Sequence, residues 1–417
     1  MNKRIKLYMM LGLATWLSIT SAKAQNFETF FKDSTLRIDY VFSGDVQHQQ
    51  ISIDQLNMMP KWYGKKHHLA ELSIEGNGQI TVRDHKSHQM IYRNSFSTLF
   101  QEWLTYDEAH QIQKAFENVF LIPLPKDTVD ITVNLNNNRR ESMVQMTHTV
   151  APNDILIRHI GINHVTPYKT IQQARDTSQC IHIAFLAEGY QQIEMDTFLN
   201  DATIAMNAIF SHEPFKSMKD RFNIIAVMAP SVDSGTSEPS KGIWKNTVLH
   251  SNFDTFYSQR YLTTLHLKDV HDQLAGTPYE HIIILVNTNQ YGGGGILNSY
   301  NLSMAHHRSF KPVVVHEFGH SFAGLADEYA YESEVIPMYP HDVEPWEPNI
   351  TTKKDFNLKW KNLIGKDKTV GLFEGAGYSP KGVYRSSDDC RMRTNETSEF
   401  CTVCKLAIQH VIDFYTK

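Results

Sequence analysis

Four cysteines in 417 residues are too few for a disulfide scaffold. Beyond the amino terminus no stretch of eighteen or more apolar residues occurs, which leaves no spanning helix in the mature chain. Runs of lysine and arginine are absent from the mature chain and the formal net charge is -5, so a nucleic-acid partner is excluded on electrostatic grounds. There is no internal repeat and no low-complexity tract. Of the few cysteines, Cys390, Cys401 and Cys404 lie close together in sequence and suit one local bridge; the paired spacing of a four-cysteine zinc site is missing, and Cys180 is distant.

The chain does carry an export signal. Lys3, Arg4 and Lys6 precede a nearly all-apolar run over residues 7–19, and Ala22-Lys23-Ala24 forms a small-x-small cleavage site before Gln25. Residues 1–24 read as a cleavable leader, and no cysteine at the cleavage point suggests a lipid anchor. The expected location is periplasmic or extracellular. A mature chain of this length with 41% hydrophobic residues exceeds one ordinary core, so two domains are expected.

The first, residues 25–165, reads as mainly β and sandwich-like. Leu36, Ile38, Tyr40 and Phe42 alternate with polar or smaller residues, as do Val129, Ile131, Val133 and Leu135, the period of half-buried strands. Further strands are expected near residues 80–82, 143–150 and 155–160, with a helix over residues 105–120. After a polar connector at residues 167–179 the rhythm changes, and residues 166–417 form the second domain. Nearly continuous apolar runs at residues 181–187, 222–229 and 281–286 alternate with helix-length segments at residues 191–210 and 255–274, the pattern of an α/β unit with a largely parallel sheet. Tyr291-Gly292-Gly293-Gly294-Gly295 marks a bend, and residues 296–304 suit one more strand.

The chemistry concentrates in His316-Glu317-Phe318-Gly319-His320. Positions four apart share a helix face, so His316 and His320 offer imidazoles to one ion while Glu317 stands beside it. With 21 histidines a chance match is on the order of one in twenty, so the surroundings carry weight. Pro312 suits a first helical turn, and Gly324 suits a helix stop that turns Asp327 or Glu328 back toward the metal. Zn2+ held by three protein ligands with an open position for water is the expected cofactor, with Glu317 as general base.

The run from His316 through Gly324 to Asp327-Glu328-Tyr329 resembles the active-site segment of the IgA-peptidase (igalysin) family of metzincin metallopeptidases. Glu188-Gly189-Tyr190, the glycine run at 292–295, Asp389-Cys390-Arg391-Met392-Arg393 and Phe400-Cys401-Thr402-Val403-Cys404 fit that family too. Leu36-Arg37-Ile38-Asp39-Tyr40 and the segment from Phe96 to Trp103 resemble its amino-terminal domain. The resemblance spans nearly the whole mature chain. It implies a mixed five-stranded sheet with an active-site helix, a methionine turn at Met392, and hydrolysis of protein or peptide substrates. One departure is that the glycine stands four residues after the second histidine, one more than the metzincin pattern. Asp327 keeps the glycine-to-ligand spacing and is the first choice of third ligand, with Glu328 second; His306, His307 and His341 are set aside. Gly293 and Gly294 are expected either to admit a substrate strand at the sheet edge or to serve a turn. Tyr378 and Tyr384 precede the methionine turn without an assigned role. The competing readings are another zinc amidase or exopeptidase, and a non-catalytic binding protein that keeps the fold. The amino-terminal domain is expected to act as a structural brace, with a glycan or protein docking role as the alternative.

Overall fold

The computed structural model describes residues 26–331 and 338–417. The expected leader, residues 1–24, lies outside them.

A short helix α1 (Phe27–Phe30) leads into strands β1 (Phe31–Gly44), β2 (Gln49–Met59), β3 (Gly78–Asp84) and β4 (Met90–Phe96). Helix α2 (Leu99–Trp103) precedes β5 (Lys114–Pro125), β6 (Val129–Asn136), β7 (Ser142–Val150) and the two-residue β8 (Arg158–His159). These strands form two sheets, ordered β5-β1-β2-β8 and β4-β3-β6-β7. β1 pairs antiparallel with both β2 and β5, setting Ile38 opposite Leu56 on one side and Phe120 on the other. The alternating residues of β1 and β6 point into one shared core, where Leu36, Ile38, Tyr40, Phe42, Ile131 and Val133 are 0% exposed. This half of the chain is thus mainly β.

The helix expected at 105–120 is corrected. α2 ends before it at Trp103, a single 3-10 turn at Asp107–His110 is its helical part, and from Lys114 onward the chain is β5. Phe116, Phe120, Ile122 and Leu124 of β5 are buried with period two along most of its length, and the whole strand is zipped to β1. Tertiary pairing overrides the helix-favouring residues of its first half. At residues 155–160 the expected strand shrinks to β8, with Ile155 94% and Leu156 78% exposed.

The second half continues with β9 (Tyr168–Gln172), β10 (Ile181–Glu188), α3 (Met195–Ile209), β11 (Phe222–Val227), α4 (Leu267–Leu274), β12 (His281–Val286), β13 (Gly293–Ile296), β14 (Tyr300–Met304) and α5 (Phe310–Ala323). It closes with β15 (Ile350–Thr351), β16 (Phe373–Ala376), β17 (Ser379–Arg385) and α6 (Thr402–Thr416). The main sheet has six strands in the order β13-β14-β12-β10-β11-β9, not the expected five. The additional strand β9 falls in the polar connector; its side chains are mostly exposed and it is held by antiparallel backbone pairing to β11, so hydrophobic periodicity has nothing to register. β10, β11, β12 and β14 are mutually parallel, whereas β13 runs antiparallel to β14 at the far edge. Residues 296–304 therefore hold a turn between two strands. Of the helix expected over residues 255–274, only α4 forms.

The two halves share apolar surface. Ile183, Phe185, Ile283 and Leu285 face α3, α5 and α6, while Ala184, Leu186, Ile284 and Val286 face the core that also fills the β sandwich. A buried ion pair, Arg37 to Asp39 at 2.7 Å, extends across this junction, because Arg37 also reaches Asp272 of α4 at 2.5 Å. A small sheet, β15-β17-β16, sits near the carboxyl end.

Candidate metal centre and active site

α5 is buried on most sides. Phe310, Val313, Val314, Val315, Phe318 and Phe322 pack among the main sheet, α3 and α6. Pro312 falls in its first turn. The helix ends at Gly324, whose φ of 57° is left-handed, with its N–H donating to His320 O at 3.0 Å and Leu325 N–H donating to Gly319 O at 3.2 Å. A side chain at 324 would sit 2.7 Å from the Trp346 ring as well. Gly324 therefore turns the chain back along the helix.

That reversal brings three donors together. His316 Nδ1–H donates to Arg391 O at 3.0 Å and His320 Nδ1–H to Leu325 O at 2.5 Å, so both imidazoles present Nε2 to the same point. The two Nε2 atoms are 3.0 Å apart, and Asp327 Oδ1 lies 3.0 Å from one and 3.3 Å from the other. A tetrahedral zinc ion with bonds of about 2.0–2.2 Å needs donor atoms about 3.3–3.5 Å apart. The donor set fits, slightly contracted. Glu317 places an oxygen within 4.8 Å of both imidazole nitrogens.

The electrostatics suit a cation. Burial alone would lower the His320 imidazole, but the carboxylates of Asp327 and Glu317 raise it to about 9. Asp327, despite burial, is held well below the usual carboxylate range by the same imidazoles. A divalent ion bound there would take the place of that proton. Burial raises the Glu317 carboxyl, with the two imidazoles opposing.

The glycine run has a packing role. A Cβ on Gly295 would lie 2.4 Å from Glu317 O and 2.9 Å from His320 Cβ, and one on Gly293 would lie 2.8 Å from Glu317 Oε1. Only bare backbone lets edge strand β13 approach α5 so closely. Gly294 faces the Tyr261 ring instead, and Tyr261 already bridges to Gly293, so the open sheet edge is shorter than the sequence suggests.

Met392 is fully buried under α5, and a Cβ on Gly319 would meet its Sδ at 2.7 Å. The same turn supplies Arg391 O to His316 and Met392 O to Glu328 N–H at 2.8 Å. Glu328 points away from the histidines, accepting from Asn349 Nδ2 at 2.9 Å and Cys404 Sγ at 3.1 Å. Asn349 also brackets Ala326, accepting from its N–H at 2.8 Å and donating to its carbonyl at 2.9 Å. His306 pairs with Asp201 at 2.8 Å and His341 lies against Gly382, both away from the histidine pair. His307 stacks edge-on against Tyr291 at the cleft margin. Glu188 is consumed in structure, capping the loop through Thr247 Oγ1, Leu249 N–H and Ser251 N–H. The expected local bridge is corrected too: all four cysteines are free, and Cys390 Sγ stands 3.7 Å from Cys404 Sγ.

A cleft of about 1140 Å³ opens over the site. Tyr329 and Tyr378 line it, their hydroxyls 2.9 Å apart, and burial raises both phenols well above their ordinary range. The opposite wall comes from the β half: Asn77, Thr98, Gln101, Glu102, Tyr106 and Arg140. Glu102 accepts from Tyr261 OH at 2.6 Å, and burial lifts its carboxyl to about 7. The amino-terminal half therefore contributes to the lining of the cleft as well as to the shared core.

Comparison with known families decides the relationship. The family model IgA Peptidase M64 matches residues 170–370 and 365–412, and Peptidase M64 N-terminus matches residues 26–147. The chain belongs to the IgA peptidase M64 family. Membership implies a metallopeptidase acting on protein or peptide. No curated protein matches the chain. In this M64 peptidase, sequence reasoning missed Tyr329 beside Tyr378, the Glu102–Tyr261 pair and the partners of Glu328. Tyr329 follows the motif directly and was within reach; the others depend on contacts between distant segments. No helix among the described residues is long and apolar enough to cross a membrane.

Proposed function

We propose that the protein is an exported zinc endopeptidase. His316, His320 and Asp327 hold the metal, and Glu317 is the general base. The carrying observation is the convergence of two Nε2 atoms and Asp327 Oδ1 at 3.0–3.3 Å on one side of α5, with the Glu317 carboxylate alongside.

Zinc bound there supplies Lewis acidity toward both water and the scissile carbonyl. Glu317, raised by burial, accepts the proton of the attacking water and passes it to the leaving amine. Arg391 O and Leu325 O keep the imidazoles in the Nδ1–H form, so no ligand rotates during turnover. Tyr378 and Tyr329 stand beside Asp327 with their neutral hydroxyls hydrogen-bonded to each other, and the pair would have to give up one existing contact to donate to the developing oxyanion. Substrate lies between β13 and the wall formed by Gln101, Glu102 and Arg140. The volume of the cleft, about 1140 Å³, and its lining by residues as separate as Arg140 and Asn395 leave room for a length of peptide, which supports internal cuts.

The test pairs Glu317→Gln with product mapping on long unstructured peptides. Cleavage should fall about 10²–10⁴-fold while zinc content stays unchanged. Internal fragments from the native enzyme support the endopeptidase reading. Stepwise loss from one terminus, or undiminished turnover by the variant, overturns it.

A further inference from the structure

Beneath the active site lies a second group of donors that peptide hydrolysis does not use. Glu328, Cys390, Cys401 and Cys404 each place one ligand atom so that all four lie within 4.8 Å of one another. We propose that they form a second, structural zinc site, separate from the histidine site and locked to it through the backbone.

The geometry matches a tetrahedral ion closely. Zinc–sulfur bonds of about 2.3 Å and zinc–oxygen bonds of about 2.0–2.2 Å set sulfur–sulfur edges near 3.8 Å and sulfur–oxygen edges near 3.5 Å. Here Cys390 Sγ and Cys404 Sγ are 3.7 Å apart, and Glu328 Oε1 is 3.1 Å from Cys404 Sγ and 4.0 Å from Cys401 Sγ. Glu328, Cys390 and Cys404 are 0% exposed, so four protein donors close the site with no place for substrate water. That is the mark of a structural rather than a catalytic centre.

Backbone donors already point at the sulfurs. Cys401 N–H donates to Cys390 Sγ at 3.2 Å, and Cys404 N–H to Cys401 Sγ at 3.5 Å. Cys401 is the N-cap of α6, where the helix dipole favours a thiolate. The second oxygen of Glu328 is buried without a hydrogen-bond partner, a cost that a cation removes. On binding, each donor that carries a proton, the buried Glu328 carboxyl included, would release it to solvent, and three thiolates and one carboxylate around Zn2+ leave two net negative charges. Buried Arg385 and Arg391 lie close enough to act on Glu328 and Cys390 and offset them.

A disulfide is the competing chemistry in an exported protein. It requires sulfur atoms at about 2.05 Å, and three thiols pair one bridge at most. The leftover thiol and Glu328 would stay buried and unmatched. A metal uses all four groups.

The site would join three segments that shape the catalytic centre. Glu328 adjoins Asp327 and its N–H is bound by Met392 O; Cys390 starts the methionine turn; Cys401 and Cys404 open α6.

The experiment is zinc counting on the mature protein purified without chelators, combined with zinc X-ray absorption. The expected result is two zinc ions per chain. The His316→Ala, His320→Ala double variant should keep one, with a sulfur-dominated shell at about 2.3 Å, and Cys401→Ser should lose one while the histidine site stays loaded. Four titratable thiols should appear after denaturation with chelator. Two thiols, or a native chain whose zinc shows no sulfur neighbours, overturns the proposal. Should the histidine variant not fold, cobalt substitution of the native chain decides, since thiolate-to-cobalt bands in the near ultraviolet must appear. Because histidine-bound and cysteine-bound metal are counted separately, loss of one assignment leaves the other standing.

Discussion

Asp327 and Glu328 are neighbours in sequence with opposite surroundings. Asp327 turns to two imidazoles at the floor of an open cleft, whereas Glu328 turns into a closed pocket of thiols and Asn349. A single peptide unit thus separates a carboxylate that lines the cleft from one sealed away from it. The pair shows that proximity to a metal motif does not define a role; the partners reached from each side of the backbone do.

The strongest way to break this comparison is to remove each carboxylate in turn. Asp327→Ala leaves two imidazoles, so peptide cleavage should fall at least about 10³-fold with loss of histidine-bound zinc. Glu328→Ala should keep that zinc while activity falls only about tenfold to a hundredfold through a loosened ligand loop. Activity and metal content measured side by side decide; the reverse ranking would exchange the two roles.

The glycines packed against the two faces of α5 give a second contrast. Gly295→Ala drives a methyl into Glu317 O and the His320 side chain, neither of which can move without shifting the helix, so a destabilisation of about 2–3 kcal/mol is expected. Gly319→Ala meets the flexible end of Met392 and should cost less, about 1 kcal/mol. Denaturant titration of both variants tests the ranking.

Arg37→Ala probes the junction of the two halves. It leaves Asp39 buried without its cation, and a loss of about 3 kcal/mol is expected in the same titration. The last comparison concerns pH. Burial raises the Glu102 carboxyl to about 7 in the folded chain against an ordinary 4.5. The folded state therefore holds this proton more tightly: its contribution is full below about pH 4.5 and is lost as pH rises through about 7. Glu102→Gln should abolish that part of the decline, so native and variant stabilities, compared at pH 5 and pH 8, should converge at the acid end and favour the variant at the alkaline end.

The histidine motif was legible because helix periodicity fixes which residues share a face, and Gly324 because a left-handed helix stop favours glycine. The β1 and β6 strands announced themselves by alternation. β5 did not, because the residues at its start suit a helix and only pairing with β1 decides. β9 did not, because an edge strand held by backbone bonds carries no apolar pattern. The surroundings of Glu328 were illegible for a different reason: Asn349 and the cysteines reach it from segments far along the chain, a matter of topology rather than of local spacing.

The cleft described above has walls of separate origin. Glu102 and Arg140 come from the amino-terminal half, while Glu317 and the histidines come from α5. On the proposed function, the surface that meets a peptide and the groups that cut it are therefore written in distant stretches of one polypeptide. Selection for new prey can rewrite the first text while leaving the second unaltered.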